Sequence, residues 1–422
     1  MLAQAATATT GVVDTVAMAL SGSKVSLAAV AVASVFFSFV YWGFGFLRMT
    51  TTALTAQALG REDTPESHAV LQRALYTGAG LGVLIVIISP ILLHGVSWFY
   101  PVEGDVLDEM AAYFWARIWG APALLTSYGI MGWLLGTGRT RQLLLFQVVA
   151  NTTNGGLDAY FVGSLELGAG GIGAGTAIAE WVSVVFGLCL VRDALRYQGT
   201  IWVPERLTEL WSANRDVMIR TLALLFAFGW FVRSGTSLST ATAAGNEVLL
   251  QFITVAAFIL DGYAFIAEKE AGEAFGAAGS KRLRRAIRVT SQLAFASGLG
   301  ISVMYYAGGD ALIRIIVADG EAQDVARTFL PWCAAVPLIG VFAYQLDGIF
   351  LGTTQGRSMR NASVLSCALY VATDVLLRIT YGNAGIWTAF LLLYVYRAVC
   401  LGYYLPSLFR AVELQTGSRK DM

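Results

Sequence analysis

The stretch Tyr41 to Gly60, YWGFGFLRMTTTALTAQALG, returns in degenerate form 216 residues later. At that offset Gln57-Ala58-Leu59-Gly60 falls on Glu273-Ala274-Phe275-Gly276, and Leu135-Gly136-Thr137 on Leu351-Gly352-Thr353. Gly132 falls on Gly348 and Asp158 on Asp374. One constant offset that aligns several separated places marks a duplication, and a period this long lies far outside solenoid repeats. The chain reads as two homologous halves.

What the halves are made of follows from composition. Apolar residues make up 56% of the chain and charged ones 13%, against about 25% charged in a soluble domain. The fold class is therefore all-α integral membrane. Twelve segments are long enough to cross a hydrocarbon core, which takes about 20 helical residues: 2–20, 27–59, 69–99, 107–136, 141–164, 171–196, 214–239, 243–276, 281–307, 322–353, 358–380 and 383–411. Formal net charge is zero, which gives no reason to expect a nucleic-acid partner. Cys189, Cys333, Cys367 and Cys400 are scattered through apolar runs, and His68 and His94 are the two histidines. With no paired histidines, serine elbow or metal-ligand spacing, an enzyme is not expected, nor a cofactor beyond a coupling ion.

Charge distribution sets the orientation. Connections after even-numbered segments are basic, with Arg61, Arg139, Arg141, Arg192, Arg196 and the run Lys281 to Arg288. Those after odd-numbered segments carry acids such as Glu103, Asp105 and Asp108. The positive-inside bias then places both termini in the cytoplasm and makes the two six-helix repeats parallel. The expected division is an N-terminal lobe over 1–196, a cytoplasmic linker over 197–213 with a surface amphipathic helix, a C-terminal lobe over 214–411 and a cytoplasmic tail over 412–422. The first segment, LAQAATATTGVVDTVAMAL, is short of strongly apolar residues, so the first helix is expected to begin upstream of Met1.

Polar groups at membrane depth are costly and mark function by default. The fifth segment carries Gln147, Asn151, Asn154 and Asp158, spaced so that all share one helical face. Such a stripe cannot face lipid and must line the interior of the first half. The sixth segment repeats the device with Thr176, Glu180 and Ser183, and the first offers Asp14. Carboxylates brought together away from bulk water disfavour joint ionisation, so one of them is expected to hold a proton. In the second half the eighth segment carries Glu247, Gln251, Thr254 and Asp261 on one face, the tenth Asp347, and the eleventh Asp374 with Arg378 one turn on. Tyr128, Gln147, Asn151, Gln251, Asp261 and Asp347 are the candidates for a substrate cavity. Arg48, Arg233 and Arg397 also fall at membrane depth. The run Gly168-Ala169-Gly170-Gly171-Ile172-Gly173 satisfies a dinucleotide pattern, but no strand precedes it, and it is expected to be a tight turn.

These residues carry a family resemblance. VVDT (Val12–Thr15) with the run Tyr41–Gly60 resembles the first helices of the multidrug and toxic compound extrusion (MATE) family, within it the DNA-damage-inducible-F-like (DinF-like) branch. ILDGYAFIAEKEAGEAFG (Ile259–Gly276) and LDGIFLGTTQGRSMRNA (Leu346–Ala362) resemble that branch's eighth and tenth helices. The resemblance implies two six-helix lobes around a central cleft, and a monomeric antiporter in a bacterial inner membrane. Such an antiporter exports amphipathic, often cationic small molecules in exchange for protons or sodium ions. It also carries ion coupling onto Asp14, Asn154, Asp158 and Thr176; the reading of the polar faces adds Glu180. The alternative of the same architecture is a lipid-linked precursor flippase, which needs a basic cavity for pyrophosphate.

The charge asymmetry makes the topology testable. A cysteine introduced at Glu103 should react with an impermeant maleimide added outside intact cells, and one at Arg284 should not. Equal labelling at both positions would overturn the orientation.

Overall fold

A computed structural model describes residues 24–99, 104–318 and 320–420. Asp14, the VVDT motif and Glu103 lie outside the described residues. Within them there is no strand, as hydrocarbon dictates: a helix satisfies its own backbone donors and acceptors where no water is at hand. Two compact units form, one from the described residues up to Thr208 and one from Glu209 onward, with the turn Gly60–Glu62 counted in the second.

The first unit contains α1 (Lys24–Gly43), α2 (Phe46–Gly60), α3 (Thr64–Phe99), α4 (Asp105–Arg117), α5 (Ala121–Gly136), α6 (Thr140–Gly163), α7 (Gly168–Leu190) and the short α8 (Arg192–Leu195). The second contains α10 (Thr240–Gly276), α11 (Ser280–Ile316), α12 (Glu321–Gly352), α13 (Gly356–Tyr381), α14 (Asn383–Gly402) and α15 (Leu405–Lys420). Before α10 comes α9 (Pro204–Thr236). Ten helical spans among the described residues are long and apolar enough to cross a membrane. At 24 residues, α6 is also long enough, about 36 Å, but its polar stripe keeps it out of that set.

Four segments differ from the sequence reading. The second breaks at a turn over Phe44–Gly45, where the amides of Phe44 and Gly45 donate to Tyr41 and Trp42 carbonyls. The fourth, 107–136, divides at a 3-10 turn over Ile118–Gly120 into α4 and α5. The linker helix is not separate: Pro204, suited to a first helical turn, opens a helix that runs unbroken through the seventh segment to Thr236. The last segment divides at Tyr403–Tyr404 into α14 and α15.

The duplication is written in the backbone. Helices α10, α11, α12 and α13 start at residues 240, 280, 321 and 356, each 216 after the start of α1, α3, α4 and α6 at 24, 64, 105 and 140. The caps repeat as well. The amides of Gly138 and Arg139 donate to the carbonyls of Leu135 and Leu134, and those of Thr354 and Gln355 donate to Leu351 and Phe350. This is the Schellman closure, which needs a left-handed residue. Gly138 supplies it at φ 71°, while Thr354 adopts φ 52° with a side chain that pays a steric cost.

Close helix crossings explain which glycines the two halves share. Between helices in lipid there is no hydrophobic driving force, so association rests on small residues that let backbones touch. An added Cβ at Gly132 would meet the Arg48 carbonyl at 2.5 Å, and one at Gly136 the Thr52 carbonyl at 2.8 Å. Their counterparts Gly348 and Gly352 press against the Ala264 and Glu268 carbonyls. The central threonines of the opening stretch suit this crossing: Thr50, Thr51 and Thr52 are buried and return their hydroxyls to the Phe46, Leu47 and Arg48 carbonyls.

Alanine at Gly132 or Gly348 should therefore destabilise the protein by about 1–3 kcal/mol, the range for overpacking. Gly300 has open space where a Cβ would stand, and alanine there should leave the melting temperature in detergent unchanged or slightly raised. Equal behaviour of the three variants would contradict the close crossing.

Candidate ion-coupling and substrate site

The polar stripe of α6 faces inward. Gln147, Asn154 and Asp158 are buried, Asp158 completely, and Asn151 is half-buried. Residues 154 and 158 stand one turn apart, so Asn154 Nδ2 donates to Asp158 Oδ2 at 3.0 Å. The same nitrogen lies 3.2 Å from Thr176 Oγ1 on α7. Thr176 spends its own proton on the Ile172 carbonyl, at 2.9 Å, which leaves its oxygen to accept. The structure thus brings together three residues expected from the sequence: Asn154, Asp158 and Thr176.

What allows α7 this close is its run of glycines. A Cβ at Gly175 would stand 2.5 Å from Asp158 Oδ1, and one at Gly173 would stand 2.5 Å from the Tyr113 carbonyl of α4. The glycine-rich run expected to be a tight turn is a turn at its first residue alone, where Gly168 has φ 60°. From there it is helical, and its glycines are packing faces towards α6 and α4. Glu109 of α4 accepts the Ala169 amide at 2.9 Å, an acid at the helix N-terminus where the dipole favours one.

Glu180, one turn beyond Thr176, is held elsewhere. Its Oε1 accepts from Arg117 Nη1 at 2.6 Å, and Tyr41 and Tyr128 stand near the pair. Tyr128 is half-buried, and its hydroxyl reaches the Tyr41 carbonyl at 3.4 Å, a long contact. Sequence reasoning passed over Arg117. The signal was present: a lone arginine in the apolar segment 107–136, of the kind noticed at Arg48 and Arg397.

The second unit treats its acids differently. Asp347, taken from sequence for a cavity residue, is buried between Arg220 and Arg397, and both guanidinium groups bond its Oδ2. Arg220 is itself buried. Asp374, also fully buried, accepts from Trp230 Nε1 and Ser234 Oγ, each at 2.8 Å, with Arg378 Nε 3.7 Å away. The expected face of the eighth segment is not a buried stripe. Gln251 is exposed and donates to Glu247 at 2.9 Å, Thr254 returns its hydroxyl to Leu250, and Asp261 is half-buried. Outside the membrane spans, Arg139 Nη2 bonds Asp193 Oδ2 at 2.6 Å, and this bond holds the Asp193 carboxyl below the usual carboxylate range.

Asp374 is fully buried, while Arg378 is 21% exposed and also donates to Ser237 Oγ, so removing the acid costs less than the roughly 3–5 kcal/mol of a wholly buried pair. Asp374→Asn should still lower the yield of inserted protein by taking the carboxylate from Arg378. Asp158→Asn should leave yield near wild type, since an amide can still meet Asn154. Size-exclusion recovery from equal membrane quantities reads the difference, and the reverse order would contradict it.

Comparison with known proteins agrees with this architecture. The family model described as MatE matches residues 1–160. DNA damage-inducible protein F of Escherichia coli (strain K12) is 32% identical over 399 residues, 93% of this chain and 86% of the relative. Protein DETOXIFICATION 43 of Arabidopsis thaliana is 26% identical over 334 residues, 77% of this chain and 62% of the relative. Among solved structures, an outward-facing multidrug resistance MATE family transporter of the MOP superfamily superposes with a TM-score of 0.88 at 17% identity, covering 98% of this chain and 94% of the other.

Proposed function

The chain belongs to the multidrug and toxic compound extrusion (MATE) family of multidrug efflux transporters, and on that premise we propose that it is a secondary antiporter exporting amphipathic, often cationic small molecules in exchange for protons. The observation that carries the coupling is the completely buried Asp158 held by Asn154, itself bonded towards Thr176. Its counterpart Asp374 has a guanidinium within 4 Å and two neutral donors. Asp158 accepts from an amide, which can serve a carboxylate or a carboxylic acid, and this suits it to gaining and losing a proton. Asp14 belongs to the same proposal. It is carried there by the resemblance of VVDT (Val12–Thr15) to the family's first helix.

One proton entering downhill releases about 2.3 kcal/mol per 100 mV, plus the pH term. Alternating access of the two homologous halves would convert that into export. Gln147, Asn151 and Tyr128 of the first unit are the polar contacts offered to substrate, and Glu180 acts in company with Arg117. The setting is a bacterial inner membrane with both termini cytoplasmic, and a monomer suffices. The flippase alternative is not favoured, since the relatives and the structural neighbour are named for other roles. Sodium is the other ion such a site can use.

Purified protein in liposomes tests the proposal. A pH step should drive a fluorescent organic cation against the proton flow, and Asp158→Asn should remove the response while Asp374→Asn, normalised to inserted protein, retains it. A sodium gradient at fixed pH that replaces the pH step would reassign the ion. Full pH coupling in Asp158→Asn would overturn the site.

A further inference from the structure

One guanidinium in the first unit is enclosed in the manner of a ligand. Arg117 reaches from α4 to Glu180 on α7, with Nη1 2.6 Å from Oε1. Its Cζ lies over the Phe37 ring at 5.6 Å and over the Tyr41 ring at 5.5 Å, both contributed by α1. Gly120 leaves the space that the second Glu180 oxygen fills, since a Cβ there would collide with Oε2. Tyr41 is 4% exposed, and its hydroxyl has no hydrogen-bond partner. The box is not sealed: the side chains of Arg117 and Glu180 remain 12% and 11% exposed.

Two observations separate this box from ordinary structural pairing. A buried ion pair is a weak source of net stability, because desolvation offsets most of the attraction. The pair is also absent from the other half: at the constant offset Arg117 becomes Cys333 and Glu180 becomes Tyr396, so the inherited fold forms without it. A carboxylate beside two ring faces is the arrangement that recognises organic cations.

We propose that Glu180, Phe37 and Tyr41 form a binding site for a planar organic cation, of the amidinium or guanidinium class, and that Arg117 is its internal stand-in, displaced when the ligand arrives. The exchange replaces one planar cation by another at Glu180, and the displaced Arg117 head leaves by the exposed side of the box. The proposal rests on the reading of the chain as an exporter of cations and names a site for them. The unbonded Tyr41 hydroxyl is available to a ligand N–H that Arg117 does not supply.

The test is isothermal titration of benzamidinium into the detergent-purified full chain. Arg117→Ala and Arg117→Gln, carried side by side so that the result does not hang on one variant, should bind about tenfold tighter or more than wild type. Adding Glu180→Gln to either should abolish that gain, and methylammonium, which lacks the planar head, should show a smaller one. A purely structural ion pair predicts no gain in either variant, and that result would overturn the proposal, as would a gain that survives Glu180→Gln. The titration involves no ion gradient, so loss of proton-driven flux would count against the exporter reading without touching this one.

Discussion

A charge in hydrocarbon must find its partner inside the protein, and the structure depends on how that demand is met. Insertion of an uncompensated charge at mid-membrane costs about 2.5–3.5 kcal/mol even on lenient scales. Four acids give distinct answers. Asp347 has two arginines, Asp374 has Arg378 with an indole and a hydroxyl, Glu180 has Arg117, and Asp158 has the Asn154 amide. The first three partners hold a fixed charge in place. An amide can serve a carboxylate or a carboxylic acid, which is what the proposed coupling role asks of Asp158.

Duplication supplied two copies of one backbone, and divergence assigned them different chemistry. Helix starts, Schellman closures and the glycine crossings repeat at 216 residues. The electrostatics do not. In the first unit a glycine-faced α7 leans on α6 and brings Thr176 to Asn154. In the second unit bulky rings pack between α9 and α14: Phe231 and Phe390 lie 4.6 Å apart, with Trp387 at 5.0 Å from Phe231. The first unit thus holds a buried polar cluster, and the second buries aromatic rings and ion pairs.

Much of this was legible in the sequence, for identifiable reasons. Helical spacing alone put Asn154 and Asp158 on one face, because i,i+4 neighbours must meet. Asp374 and Arg378 were legible in the same way. Contacts between helices were harder. Arg117 and Glu180 are 63 residues apart, and Arg220 and Asp347 are 127 apart, so no spacing rule joins them. The stripe Glu247–Gln251 had the right period but lies exposed, since periodicity says which residues share a face and not what that face meets. The glycine run after Gly168 was read for its turn, although most of its glycines serve helix contact.

The central claim is that Asp158, and not its counterpart Asp374, is the acid that exchanges the coupling proton. Infrared difference spectroscopy between samples on either side of neutral pH tests it most directly, because a carboxylic acid shows a carbonyl band that a carboxylate lacks. The account predicts a band that appears on acidification, persists in Asp374→Asn and vanishes in Asp158→Asn. A band that persists in Asp158→Asn and vanishes in Asp374→Asn would contradict it.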